Sequence, residues 1–221
     1  MTAAIRELAC AAVLFDLDGV LVDSAGVVER SWRRWARRHG LVESEVLRLC
    51  HGRPSAETIA AAAAHLDATA EATWLEQEQA AAATDVTVCS GAGDIVSALP
   101  FRSWAVVTSG GRALAESRLI AAGLPLPEVL VTADDVKRGK PDPEGYLAAA
   151  ERLAVRPDTC VVIEDARPGV LAARAAGCRV IGIAGHLLGA TDDVELTIDN
   201  LSGLAASTTD AGIVLRRRDR G

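Results

Sequence analysis

Short apolar runs punctuate the chain at residues 10–15, 104–107, 129–131, 160–163 and 179–183. Each is rich in aliphatic residues and is followed by polar or glycine residues and then a helical repeat. That is the pattern of strands buried on both faces in successive βα units. The expected fold is α/β, a doubly wound and mainly parallel Rossmann-like sheet. In such a sheet ligands lie beyond the carboxyl ends of the strands, so the residues just after each run are where chemistry is expected.

Between the first and second runs the period changes from that of strands to that of helices. Residues 27–39, 44–50, 55–66 and 70–83 read as helices with no strand among them, an inserted lobe of about sixty residues. The expected division is a core of 1–23 and 88–221, with a helical insert at 24–87. In the first of these helices Val28, Trp32, Trp35, Ala36 and His39 share one face, while Arg30, Arg33, Arg34, Arg37 and Arg38 fall mostly opposite and read as a solvated face. Gly40, Gly52, Pro54, Gly91 and Gly93 punctuate the lobe and its return, where a hinge would lie. The arginine-rich 216–220 reads as a frayed, solubilising tail.

Composition narrows the possibilities. A chain of 221 residues suits one core domain carrying a smaller insertion. Its net charge of −7 excludes a dedicated nucleic-acid binder, whose affinity comes from neutralising phosphates. The cysteines, Cys10, Cys50, Cys89, Cys160 and Cys178, are odd in number and never spaced C-x-x-C, which gives neither a zinc site nor a disulfide framework. No apolar run approaches the roughly 18 residues of a membrane span, and no cleavable signal pattern precedes the first. The expected setting is cytoplasmic, with no membrane partner, and a monomer is compatible with the sequence. Lys137 and Lys140 are the sole lysines beside twenty-one arginines, which directs attention to both.

The first run delivers Asp16-Leu17-Asp18-Gly19, and in an extended segment Asp16 and Asp18 project to the same side. Two adjacent carboxylates repel and raise each other's pKa unless a cation lies between them. A calcium loop is excluded, because the third ligand and the glycine it needs are missing, whereas an acidic turn without a ligand stays open. The second run ends in Thr108-Ser109-Gly110-Gly111, where a hydroxyl and glycine-exposed N–H groups at a helix start can cradle an anion; the same residues also make good helix-entry chemistry. After the third run, Lys140-Pro141-Asp142-Pro143 fixes a lysine in place, suited to a phosphoryl oxygen or a phospho-carboxylate. The fourth run ends in Glu164-Asp165. With two acidic pairs, metal ligation becomes the better reading, and oxygen-only ligands point to magnesium.

In this order, Asp-x-Asp, Thr-Ser-Gly, Lys and Glu-Asp resemble the four motifs of the haloacid dehalogenase superfamily of phosphotransferases. The resemblance runs from about residue 10 to 200 and includes a helical cap inserted after the first motif. The stretches at 104–110, 131–141 and 162–166 are most similar to the small sugar- and polyol-phosphate phosphatases, among them those acting on hexose, hexitol, deoxyglucose and glycerol phosphates. The resemblance implies Asp16 as nucleophile, forming an aspartyl-phosphate, and Asp18 as general acid and base. It implies Mg2+ held by Asp16, the backbone carbonyl of Asp18 and Asp165, with Glu164 a ligand or a support. Thr108, Ser109, Gly110 and Lys140 would hold the transferring phosphoryl group. His51 and Arg53, in the cap loop, would contact the substrate, while Asp23 and Ser24 would support the hinge.

Two other readings share these residues. A beta-phosphoglucomutase uses the same motifs but returns the phosphoryl group to a sugar hydroxyl. Mutases typically follow the second-motif hydroxyl with a Lys-Asn pair and carry a cap histidine, and here Gly111-Arg112-Ala113 and Val28 stand at those places, which favours hydrolysis. A phosphoacceptor receiver domain also surrounds an aspartate with acidic residues, a hydroxyl and a lysine. It has no helical lobe, and the motif order here argues against it.

Overall fold

The computed structural model describes residues 7–50, 54–185, 193–210 and 212–218. In chain order the strands are β1 (Glu7–Cys10), β2 (Ala12–Phe15), β3 (Val22–Asp23), β4 (Thr87–Val88), β5 (Trp104–Val107), β6 (Val129–Val131), β7 (Cys160–Glu164), β8 (Arg179–Ile183), β9 (Leu196–Ile198), β10 (Leu204–Thr209) and β11 (Gly212–Arg217). The helices are α1 (Ala25–Arg38), α2 (Glu43–Leu49), α3 (Ser55–Ala62), α4 (Ala68–Ala81), α5 (Ala92–Ala98), α6 (Arg112–Ala121), α7 (Glu144–Arg152) and α8 (Arg167–Ala175).

The main sheet has six strands in the order β6-β5-β2-β7-β8-β9, and every pairing is parallel. Alternation along each strand splits the side chains between two faces. Val13, Phe15, Val106, Val161 and Ile163 pack on one side with residues of α5 and α6. Ala12, Leu14, Ala105, Val107 and Val162 pack on the other with Tyr146 and Ala149 of α7 and Val170 and Ala173 of α8. Winding starts at β2 and runs outward both ways, first through β5 to β6 and later through β7 to β9. The crevice where the direction reverses therefore lies over the ends of β5, β2 and β7.

The run at 10–15, read as one strand, is broken at Ala11, whose N–H turns aside to Thr159 O. Residues before the break join a separate antiparallel sheet, β1-β11-β10. Of the arginine-rich 216–220, Arg216 and Arg217 belong to that sheet and not to a frayed tail. Arg216 lies in β11 opposite Glu7 and makes a 2.7 Å ion pair with it, and Ile213 and Leu215 point into the core. Residues 219–221 lie outside the described residues.

Helices α1–α4 leave and rejoin the chain through β3 and β4, which pair with each other, Val22 opposite Val88. They enclose a cluster of their own around Trp32, Trp35, Val46, Ile59 and Leu75. Trp35 Nε1 donates to Glu71 Oε2 at 2.9 Å, and His39 Nε2 lies 3.0 Å from the same oxygen. His39 is thus employed inside the lobe. The arginine face is solvated as expected, with Arg30, Arg33, Arg34 and Arg37 paired to carboxylates and Arg38 over the Trp74 ring. Such exposed pairs contribute little stability individually.

Candidate active site

Three adjacent strand ends converge on one cleft of about 180 Å³, which extends up to the helical lobe. At its floor Asp16 continues the line of β2, its N–H donating to Ile163 O of β7 at 3.0 Å. Leu17, fully buried, pins the next position, and the tight turn behind it is closed by Leu21 N–H donating to Leu17 O at 2.9 Å. Two residues on from Asp16, the Asp18 carboxylate borders the same cleft. Gly19 completes the turn with φ +81°, and a Cβ there would collide with the Asp165 carboxylate. The glycine thus serves both the left-handed turn and the close approach of the fourth motif to the first.

Lys140 is the centre of the floor. It follows β6 on a loop whose Lys140–Pro141 peptide is cis. Its ammonium, itself buried, donates to Asp16 Oδ1 at 2.5 Å, Glu164 Oε1 at 2.6 Å and Val107 O at 3.1 Å, so all three protons have acceptors. Burial alone would lower its pKa, but the Asp16 and Glu164 carboxylates outweigh this and hold it above the ordinary lysine range. Asp16 is pushed well above the usual carboxylate value. Burial is the main cause, Lys140 opposes it, and Glu164, Asp165 and Asp18 add to it.

Glu164 has every acceptor position spoken for. Oε1 takes Lys140 and the Tyr146 hydroxyl at 2.7 Å, while Oε2 takes the N–H groups of Asp165 and Ala166 at 3.1 and 3.2 Å. Asp165 makes no ion pair among the described residues, and burial together with Glu164 pushes its carboxyl up to about 7. One oxygen each from Asp16, Glu164 and Asp165 lies within 4.8 Å of the others. With Asp18 and the more exposed Asp23 that makes five carboxylates against two cations, Lys140 and Arg118, around one cleft. This surplus of negative oxygen fits a divalent cation, and a phosphate ester would be repelled without one. The cluster can therefore bind a divalent metal, with Asp16 and Asp165 the carboxylates least committed elsewhere.

Thr108, Ser109 and Gly110 line the same cleft as Asp16. Several N–H groups at the start of α6 are already engaged. Gly110 donates to Thr108 Oγ1 at 3.2 Å, Gly111 to Glu76 Oε1 at 3.2 Å and Arg112 to Asp134 Oδ2 at 2.8 Å. Ser24, the residue before α1, does not cap its helix; its hydroxyl donates to Asp18 Oδ1 at 2.5 Å. Asp23 is exposed and accepts from Ala25 N–H instead. His51 and Arg53 lie outside the described residues, while Cys50 and Ser55 on either side of that loop border the cleft.

Sequence reasoning missed three participants. Arg118 of α6 is 3% exposed, and its Nη1 lies 2.7 Å from both Asp18 oxygens. Gln79 of α4 accepts from Arg118 Nη2 at 2.6 Å. Tyr146 of α7 is fully buried beneath Glu164 and Lys140. The signal that could have found the first was an arginine in the apolar stripe formed by Leu114, Ala115 and Leu119.

Comparison with known proteins places this geometry. Over 212 residues the chain is 43% identical to hexitol phosphatase A of Escherichia coli K12, covering 93% of this chain and 98% of that one. It is 43% identical over 179 residues to validoxylamine A 7'-phosphate phosphatase of Streptomyces hygroscopicus subsp. limoneus, covering 77% of this chain and 84% of the other. In architecture it is similar to CbbY from Rhodobacter sphaeroides, solved in complex with phosphate, with a TM-score of 0.78, 23% identity, and 87% and 95% of the two chains covered. No helix among the described residues is long and apolar enough to cross a membrane. Residues 10–177 match the family described as haloacid dehalogenase-like hydrolase, and this chain belongs to it.

Proposed function

We propose that the protein hydrolyses small sugar or polyol phosphate monoesters with the aid of Mg2+. The observation that carries this reading is the buried Asp16 carboxylate, held by Lys140 at the floor of a cleft whose other wall is the helical lobe. The relatives named above, by their names phosphatases of a hexitol phosphate and of validoxylamine A 7'-phosphate, support the substrate class.

In this reading an oxygen of Asp16 attacks phosphorus and the ester oxygen departs, leaving an aspartyl-phosphate that water then cleaves. Lys140 keeps one Asp16 oxygen fixed, so that the other faces the substrate. Asp18, on the border of the same cleft, gives a proton to the departing oxygen and later takes one from the attacking water. Thr108, Ser109 and Gly110 surround the phosphoryl oxygens as the transfer proceeds, and Lys140, its protons shared by Asp16, Glu164 and the Val107 carbonyl, places a positive charge beside them. Asp16, Asp165 and the Asp18 carbonyl would hold Mg2+, and Glu164, its oxygens already engaged, would orient Lys140 and the Asp165 backbone. When bound, the cation neutralises charge on the phosphate and counters the repulsion among the carboxylates. Residues 24–87 act as the cap that excludes water and selects the ester, with the paired β3 and β4 as its stem.

The test is phosphate release from a panel of sugar, polyol and nucleotide monophosphates with Mg2+, run beside a coupled assay for conversion of beta-glucose 1-phosphate to glucose 6-phosphate. We expect release from hexose, hexitol or glycerol phosphates, its loss on chelation with EDTA, and no turnover by Asp16→Asn with an unchanged circular dichroism spectrum. Isomerisation without release would replace hydrolase by mutase. Appreciable turnover by a folded Asp16→Asn variant would overturn the assignment of the nucleophile.

A further inference from the structure

We propose that Arg118 is a positioning residue for catalysis, setting the orientation of the Asp18 carboxylate, and that Gln79 of the helical lobe sets Arg118 in turn. The inference rests on the reading of Asp18 as the group that meets the departing oxygen.

Arg118 sits on the buried face of α6, where its neighbours Leu114, Ala115 and Leu119 are apolar and buried. An arginine is seldom buried this deeply without a task, because its desolvation must be compensated by good partners. Its partners are specific. Nη1 lies 2.7 Å from each Asp18 oxygen, so it occupies the crotch of the carboxylate. Nη2 donates to Gln79 Oε1 at 2.6 Å, and Gln79 is itself 4% exposed. Nε, buried, has no hydrogen-bond partner among the described residues. The guanidinium is therefore turned so that two edges serve Asp18 and the lobe while the third goes unsatisfied, an orientation selected for those two contacts.

The exposures say which side faces the substrate. The Asp18 side chain is 33% exposed and the Arg118 side chain 3%, so the arginine stands behind the carboxylate and an ester meets Asp18 from the front. Ser24 Oγ adds a second donor to Oδ1, whereas among the described residues Oδ2 receives Arg118 alone. Oδ2 keeps the greater spare capacity and is the oxygen presented to the leaving group. Gln79 lies on α4, within the lobe, so the line Gln79–Arg118–Asp18 joins the lobe to the acid of the core by three short hydrogen bonds.

The experiment separates positioning from simple support by varying the leaving group. An alkoxide departs poorly without a proton, whereas 4-nitrophenolate departs well without one. kcat/KM reports the steps up to that departure. We expect Arg118→Met to lower kcat/KM for a hexitol phosphate by ~100-fold, the range of a lost general acid, and for 4-nitrophenyl phosphate by less than ~5-fold. Arg118→Lys should recover at least ~10-fold of the loss, since a cation is restored without the planar fork. Gln79→Leu, which leaves the ion pair in place, should lower kcat/KM for the hexitol ester ~5-fold and spare the nitrophenyl ester. Thermal melts establish that each variant is folded. Should Arg118→Met not fold, Arg118→Lys and Gln79→Leu decide on the same ratio of the two esters. Equal losses on both esters, or none, would overturn the positioning role while leaving the phosphatase reading intact. A wild-type enzyme inert toward both esters would overturn the two together.

Discussion

Asp16 and Asp135 are carboxylates with opposite fates, and the difference lies in their neighbours. Asp16 is buried among other acids and is pushed upward. Asp135 would also be raised by burial, but the Thr132 N–H and hydroxyl and the Arg152 guanidinium hold it down, to about 2, with Arg112 completing the ring of donors. A carboxylate depressed in the folded state adds stability above its unfolded pKa of about 3.9, and that stability is lost as pH falls toward the folded value. Asp135→Asn should therefore cost about 2 kcal/mol at pH 7, and the cost should shrink to roughly half near pH 3. Urea denaturation of both proteins at the two pH values measures this. A difference equal at both would mean that the neutral asparagine fails for a reason other than charge.

At the scale of elements, strands were legible wherever both faces are buried, because an unbroken apolar run has few other interpretations. The hairpin of β10 and β11 was not. Leu204–Thr209 fades from buried to exposed along its length, and β11 mixes core residues with arginines. Site residues divide in the same way. Asp16, Thr108, Glu164 and Asp165 were legible because each directly follows or ends a strand, where a doubly wound sheet collects its chemistry, and Lys140, nine residues beyond β6, because Pro141 and Pro143 mark a fixed loop. Arg118 and Gln79 act across 100 and 39 positions of sequence; the apolar stripe around Arg118 marks that residue as buried, but no local pattern encodes its partners. A helix position makes the point testable. Gly169 lies in the first turn of α8, where alanine would ordinarily stabilise by up to about 1 kcal/mol. A Cβ there would overlap the Glu164 carboxylate. Gly169→Ala should thus lower both the melting temperature and kcat, and a more stable, fully active variant would show that Glu164 can move without consequence.

For the whole molecule, the small sheet ties the two ends of the chain together, with β11 between β1 and β10. Removing residues 212–221 would uncover Leu8 and delete the buried Ile213 and Leu215, a loss of roughly 3–6 kcal/mol from the two side chains alone. It would also leave β1 and β10 with unpaired edges, so we expect a truncated chain to be destabilised and prone to aggregate, as read by melting temperature and light scattering. The tryptophans are divided unevenly over this architecture. Trp32, Trp35 and Trp74 belong to the helical lobe, Trp32 bordering the cleft, whereas Trp104 sits in the main sheet edge-on to Phe15. Intrinsic fluorescence is for this reason chiefly a reporter of the lobe, and far-ultraviolet circular dichroism one of the whole backbone. Unfolding curves that coincide by the two methods would mean lobe and sheet melt as one cooperative body, and curves that separate would time the lobe's loosening without any label.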